Sequence, residues 1–158
     1  MQLPSIADLV AIYDQPKFSS ISHAEWTLFQ KHGVEPLIPC LLQAFPLVNR
    51  APGRASLLFW LARYSRKYPQ IVELAKTALN DRAYLVREHA CSILAYSLRS
   101  DAISALAPLQ SHKNGRTRAD ATAAIDAISS KNHHLYADRQ HTGQSFWILN
   151  PEDDPSAP

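Results

Sequence analysis

The sequence predicts an all-α fold of about four antiparallel helix pairs, closed by a short C-terminal β-hairpin or extended cap. Three observations predict it. Arg54, Arg87 and Arg118 recur at intervals of 33 and 31 residues. Each is followed three residues later by Leu57, Ala90 or Ala121, and seven residues later by Leu61, Leu94 or Ile125. A period in this range marks stacked supersecondary units that share a core. The composition agrees: 46% of residues are hydrophobic and only 4 are Gly, which suits a chain built mostly of helix. The candidate helices are also joined by short connections, as antiparallel neighbours require.

The elements follow in order. Ile6, Leu9, Val10 and Tyr13 make one helical face over residues 4–14, ended by Pro16. Ser22 is placed to cap a second helix, with Glu25 three residues on completing a capping box, and Gly33 stops it. Residues 35–47 are apolar on nearly every side, which predicts a helix covered by neighbours, with Pro39 in its first turn. The segment 53–67 is the inner helix of that pair. Pro69 opens a third pair over about 70–79 and 83–99. Asp101 caps a fourth over about 102–112 and 116–130, with its turn at Asn114-Gly115. Helical periodicity is lost after Lys131. The runs Leu135–Ala137 and Ser145–Leu149, around Thr142-Gly143, read as the two arms of a hairpin or extended cap. The expected organisation is a helical domain over 1–131, a cap over 132–150 and a disordered acidic tail over 151–158.

Composition limits function as well. The formal charge is +2, from 16 Lys+Arg and 14 Asp+Glu, so the basic stripe of a nucleic-acid binder is lacking. No apolar run reaches the ~18 residues of a membrane span. The N-terminus has Asp8 and no basic region ahead of an apolar stretch, so it is a poor signal peptide. Cys40 and Cys91 sit among apolar residues and read as buried, reduced thiols. These features predict a cytoplasmic protein. The chain carries no nucleophile elbow, phosphate-binding Gly loop, HExxH or CxxC motif, and it is read as non-enzymatic with no cofactor.

The third unit carries the marks of a HEAT repeat: Pro69 opening its first helix, Leu74 and Leu79, Asp81 in the turn, then Val86-Arg87, Ala90, Ile93 and Leu94. It resembles that family at these positions. The fourth unit keeps Leu106, Leu109, Arg118, Ala121 and Ile125, with His112 in place of the turn Asp; the second keeps Pro36, Leu41, Arg54 and Leu61. The resemblance covers residues 35–130 and implies a right-handed α-α superhelix. It further implies that the arginine after the turn bonds an acidic turn residue, as Arg87 would with Asp81. Arg54 and Arg118 lack such an acid and are the better candidates for a partner. HEAT-like arrays serve mostly as scaffolds and protein binders.

The register of the inner helices then predicts a contact surface. At about 100° per residue, the buried side centres on Leu57, Trp60, Leu61 and Tyr64, and on Ala90, Ile93, Leu94 and Ser97. The opposite side holds Phe59, Arg63 and Arg66; Glu88, Ser92, Tyr96 and Arg99; and Asp120, Ala123, Asp126 and Ala127. Phe59, Arg63, Arg66, Glu88, Tyr96 and Arg99 are therefore expected to contact another protein, with His141 adding a contact from the cap. His133, His134, Asp138 and His141 have metal-ligating side chains, but no Cys accompanies them, and a hairpin would turn alternate residues to opposite faces. They read as hydrogen-bonding loop residues. A short HEAT-like chain also resembles bacterial immunity proteins, which implies a monomer that neutralises a toxin by binding it through the concave face and the cap. The alternatives are a scaffold or lyase-like chaperone, and a nucleic-acid-handling protein similar in fold to the alkylpurine-DNA glycosylases.

Overall fold

The computed structural model describes residues 2–158. Eight α-helices and several 3-10 turns make up the described chain, and no strand occurs among the described residues. None of the helices is long and apolar enough to cross a membrane. Two compact units divide the chain, one ending at Leu61 and one beginning at Ala62.

The first unit holds α1 (Ile6–Tyr13), α2 (Phe18–His32), α3 (Ile38–Ala44) and α4 (Ala51–Leu61). Ser5 and Asp8 form a reciprocal capping box at the start of α1, and its fully buried Leu9 and Tyr13 lie one turn apart. Helix α2 starts four residues before the expected cap, at Phe18, behind a Lys17 that offers no side-chain acceptor. Ser22 therefore lies inside the helix. Glu25, expected in a capping box, is 3% exposed and accepts the Ser56 hydroxyl at 2.7 Å. Gly33, at φ 74°, ends α2 as predicted.

Prolines 36, 39 and 46 break the next stretch into a 3-10 turn, the short α3 and a second 3-10 turn, because each removes a backbone donor. The turn leading into α4 is held from a distance: Asp14 Oδ1 accepts the amides of Asn49 at 2.7 Å and Arg50 at 3.0 Å. Gly53 lets α4 press on the end of α1. A Cβ there would lie 1.9 Å from the Tyr13 carbonyl oxygen.

The second unit holds α5 (Pro69–Ala78), α6 (Tyr84–Ser97), α7 (Ile103–Leu106) and α8 (Gly115–Ser129). Pro69 opens α5 as expected, and Asn114 caps α8 by accepting the amides of Arg116 and Thr117. Asp101 does not cap a helix with its side chain; it pairs with Arg99. Pro108 turns the end of the α7 arm into a 3-10 turn over Ala107–Ser111. Helix α6 packs between α5 and α8, and every residue from Ala90 to Ser97 is buried. Cys91 lies in this stretch, buried and free; Cys40 of the first unit is free and half-buried.

The C-terminal stretch is not a β-hairpin. His133–Tyr136 forms a 3-10 turn docked on α8 and α6, and residues 144–148 run on without bend or partner strand. Pro151–Asp153, expected to be disordered, forms another 3-10 turn, and its Asp153 is buried.

Candidate functional site

The three periodic arginines share one geometry. Arg54 Nη1 donates to the carbonyls of Val48 at 3.3 Å and Asn49 at 2.7 Å. Arg87 Nη1 donates to Asp81 and Arg82, both at 2.9 Å, and Arg118 Nη1 to His112 at 2.7 Å and Lys113 at 3.2 Å. In every case the acceptors lie six and five residues back, in the turn before the helix. The acidic side chain expected to receive Arg87 faces elsewhere, with Asp81 Oδ1 accepting the Ala83 amide at 2.9 Å. Arg54 and Arg118, expected to be available to a partner, do the same framework work as Arg87.

The face of α6 predicted to be open is covered by the chain itself. Tyr96 is fully buried, and Ser92 is buried beside it. On α8, Asp120, Ala123 and Ala127 are also buried. A one-helix register cannot see that residues 133–153 fold back over this face.

Asp153 fixes the end of that segment. Its carboxylate accepts the Tyr96 hydroxyl at 2.9 and 3.1 Å, and the amides of Leu149 at 3.0 Å and Asn150 at 2.8 Å. Burial works to raise its pKa, but these donors outweigh burial and hold it below the ordinary carboxylate value. Tyr96 is pushed up to about 12, first by burial. Asn150 Nδ2 donates to the Tyr96 oxygen at 2.8 Å and to the Arg63 carbonyl at 2.9 Å. The Arg66 guanidinium lies 4.0 Å from the centre of the Tyr96 ring, while its Nε donates to the Tyr96 carbonyl at 2.8 Å. That carbonyl belongs to the last turn of α6, where no amide of the helix is left to satisfy it.

Two histidines hold the middle of the segment. His134 Nδ1 accepts the Trp147 amide at 3.0 Å, and His133 Nε2 meets the Trp147 carbonyl at 2.9 Å. Both hydrogen-bonding groups of one residue are thus bound by side chains, where a hairpin would use a second strand. Trp147 packs edge-on to Tyr96, with ring centres 5.6 Å apart. Its neighbours Phe146 and Ile148 are each 49% exposed and leave an apolar ridge, with Phe146 meeting the His134 ring edge-on at 5.4 Å.

The remaining predicted contact residues disperse. Glu88 accepts the Tyr136 hydroxyl at 3.2 Å, and Arg99 pairs with both oxygens of Asp101. His141 Nε2 lies 2.6 Å from Asp126. Phe59 belongs to the first unit, where it is 47% exposed and meets Trp60 edge-on at 5.5 Å. Asp138 accepts the amides of Thr142 and Gly143 and shapes the turn there. The four candidate ligands are thus committed to hydrogen bonds within the chain: His133 and His134 to Trp147, Asp138 to Thr142 and Gly143, and His141 to Asp126. No group of three ligating side chains converges among the described residues. Phe146 and Ile148 lie in the apolar run Ser145–Leu149 that the sequence assigns to the cap, where they stay half exposed, and Asp153 was not singled out from the sequence.

Comparisons with protein-family models, with curated proteins and with solved structures give no match.

Proposed function

We propose that this chain is a non-enzymatic protein-binding module whose contact surface is the C-terminal cap, centred on Phe146 and Ile148. One observation carries the reading: two large apolar side chains stand exposed on a segment whose intervening residue, Trp147, is held at both backbone groups. Prior ordering of a contact segment lowers the entropy cost of association, and aromatic residues supply much of the binding energy at interfaces. The two hairpins of the second unit, α5–α6 and α7–α8, read as adjacent HEAT-like repeats. Their shared arginine–carbonyl clamp supports that assignment, with α6 and α8 side by side.

The most specific form of the proposal is an immunity protein that neutralises a cognate toxin by binding it. Since the chain's own segment covers α6, the weight of the contact moves from the concave face to the cap. Co-expression with the product of the neighbouring reading frame tests this. The expected result is a stoichiometric complex and protection of cells from that product. Phe146→Ser combined with Ile148→Ser should weaken the complex at least about tenfold without changing the thermal midpoint. Absence of a complex, or an unchanged affinity in the double variant, would overturn it.

A further inference from the structure

The His133–His134 pair imposes a protonation state that the contacts themselves define. An arginine can only donate, so the 3.0 Å contact of Arg66 Nη2 with His133 Nδ1 requires a lone pair on that nitrogen. A carbonyl can only accept, so His133 Nε2 carries the proton it gives to Trp147. His134 Nδ1 must likewise be unprotonated to accept the Trp147 amide. A proton added to either ring has only Nδ1 to occupy, and there it removes a bond. On His133 it would also place a cation against Arg66 and leave two donors facing each other.

We propose that His133 is the proton-sensitive half of a clasp made with His134, which holds the segment from Ser145 to Asp153 closed while the His133 ring is neutral and releases it in acid. The surroundings make the balance explicit. Burial disfavours charge on His133, the Trp147 carbonyl favours it, His134 opposes it, Asp153 favours it, and Arg66 opposes it; the outcome is a pKa below the ordinary histidine value. The Asp153 attraction acts across 3.6 Å to Nε2 and cannot replace the lost Arg66 bond at Nδ1. On α6, Tyr96 stacks against His133, and Glu88 is engaged by Tyr136 and His89. On α8, Asp120 is paired with Arg139 and Asp126 with His141, so neither is committed to the clasp rings.

The sign follows. A histidine whose native pKa is lowered contributes no cost above its unfolded value, near 6.5. Below it the released state takes up a proton that the closed state refuses, so the clasp weakens as pH falls.

The clasp holds the segment that carries the proposed contact ridge, but it is measured on the free chain. Failure of either proposal therefore leaves the other standing. Amide hydrogen exchange of the full chain at about pH 7.5 and about pH 5, corrected for intrinsic rates, is the test. The amides of Trp147, Leu149 and Asn150 should lose about tenfold or more in protection in acid, while those of α6 keep theirs. His133→Gln with His134→Asn preserves the donor to the Trp147 carbonyl and the acceptor for its amide without a titrating ring, and should abolish the pH dependence. Protection retained by the natural chain at the lower pH, or lost equally by the double variant, would overturn the clasp. Imidazole nitrogen shifts of the natural chain give an independent reading should that variant fold poorly. Both rings should be protonated on Nε2 alone while the segment is protected, and a proton on either Nδ1 in the protected state would refute it.

Discussion

At the scale of single residues, the arginine recurrence has one physical meaning in three places. Each guanidinium satisfies two carbonyls of the turn before its helix, which holds the chain's reversal in a fixed shape. Their burial differs, and so should their energetic weight. Arg87 is 6% exposed and also donates from Nε to Thr117 Oγ1 at 3.1 Å, which ties α6 to α8. Arg87→Ala removes the buried bond to Thr117 together with two part-buried bonds to the turn and should cost about 2–3 kcal/mol in urea unfolding. Arg118 is exposed, and water can take over its two carbonyls, so Arg118→Ala should cost a small fraction of that. Equal losses in the two variants would mean that burial does not set the strength of the clamp. The sequence spacing revealed that the arginines recur in register, while only Arg87 was expected to be tied to its own turn. It could not reveal their acceptors, because a main-chain carbonyl carries no residue identity.

At the scale of helices, the boundaries that were legible are those with a chemical signal in the chain. Pro69 opens α5, Gly33 closes α2 and Asn114 caps α8. The start of α2 was misread because Lys17 has no acceptor to announce it, while Ser22 and Glu25 imitate a capping box. The hairpin was misread for a similar reason. Ser145–Leu149 is a short apolar, aromatic run of the kind strands use, but the groups that receive Trp147 are imidazoles, which composition cannot anticipate. Tyr96 was placed on an open face because a register drawn on one helix contains nothing about a segment more than fifty residues away. Gly53 shows the same limit: one glycine near the start of a helix reads as neutral until the Tyr13 carbonyl is found against it. Gly53→Ala must push α4 off α1, since the obstacle is backbone and cannot rotate away. A loss of about 3 kcal/mol is expected, together with weaker near-ultraviolet dichroism from the displaced Tyr13. A variant as stable as the natural chain would show that the approach of the two helices is not as close as the structure has it.

At the scale of the whole molecule, stability should depend on pH through buried groups of opposite tendency. Asp153 has a lowered pKa, so its contribution is present above the unfolded carboxylate value and is lost as pH falls through the native one. Glu25 behaves in the opposite way. Burial raises its pKa, and the donors Ser56 and Trp60, with the Tyr13 hydroxyl, offset burial only in part. The folded chain therefore binds that proton more tightly than the unfolded chain does. Its contribution is fullest below the unfolded value, near 4.5, and is lost as pH rises through the higher native value. Glu25→Gln keeps an acceptor for Ser56 and Trp60 but has no proton to lose, so it isolates the effect. Urea unfolding of both chains from about pH 4 to about pH 7.5 should show the variant gaining on the natural protein as pH rises, with a plateau once Glu25 is ionised in both states. A difference that stays flat across this range would mean that the carboxylate is as well solvated by its three neighbours as by water. A difference of opposite slope would mean that those donors overcompensate burial, and that the charge at Glu25 holds α2 to α4 by attraction.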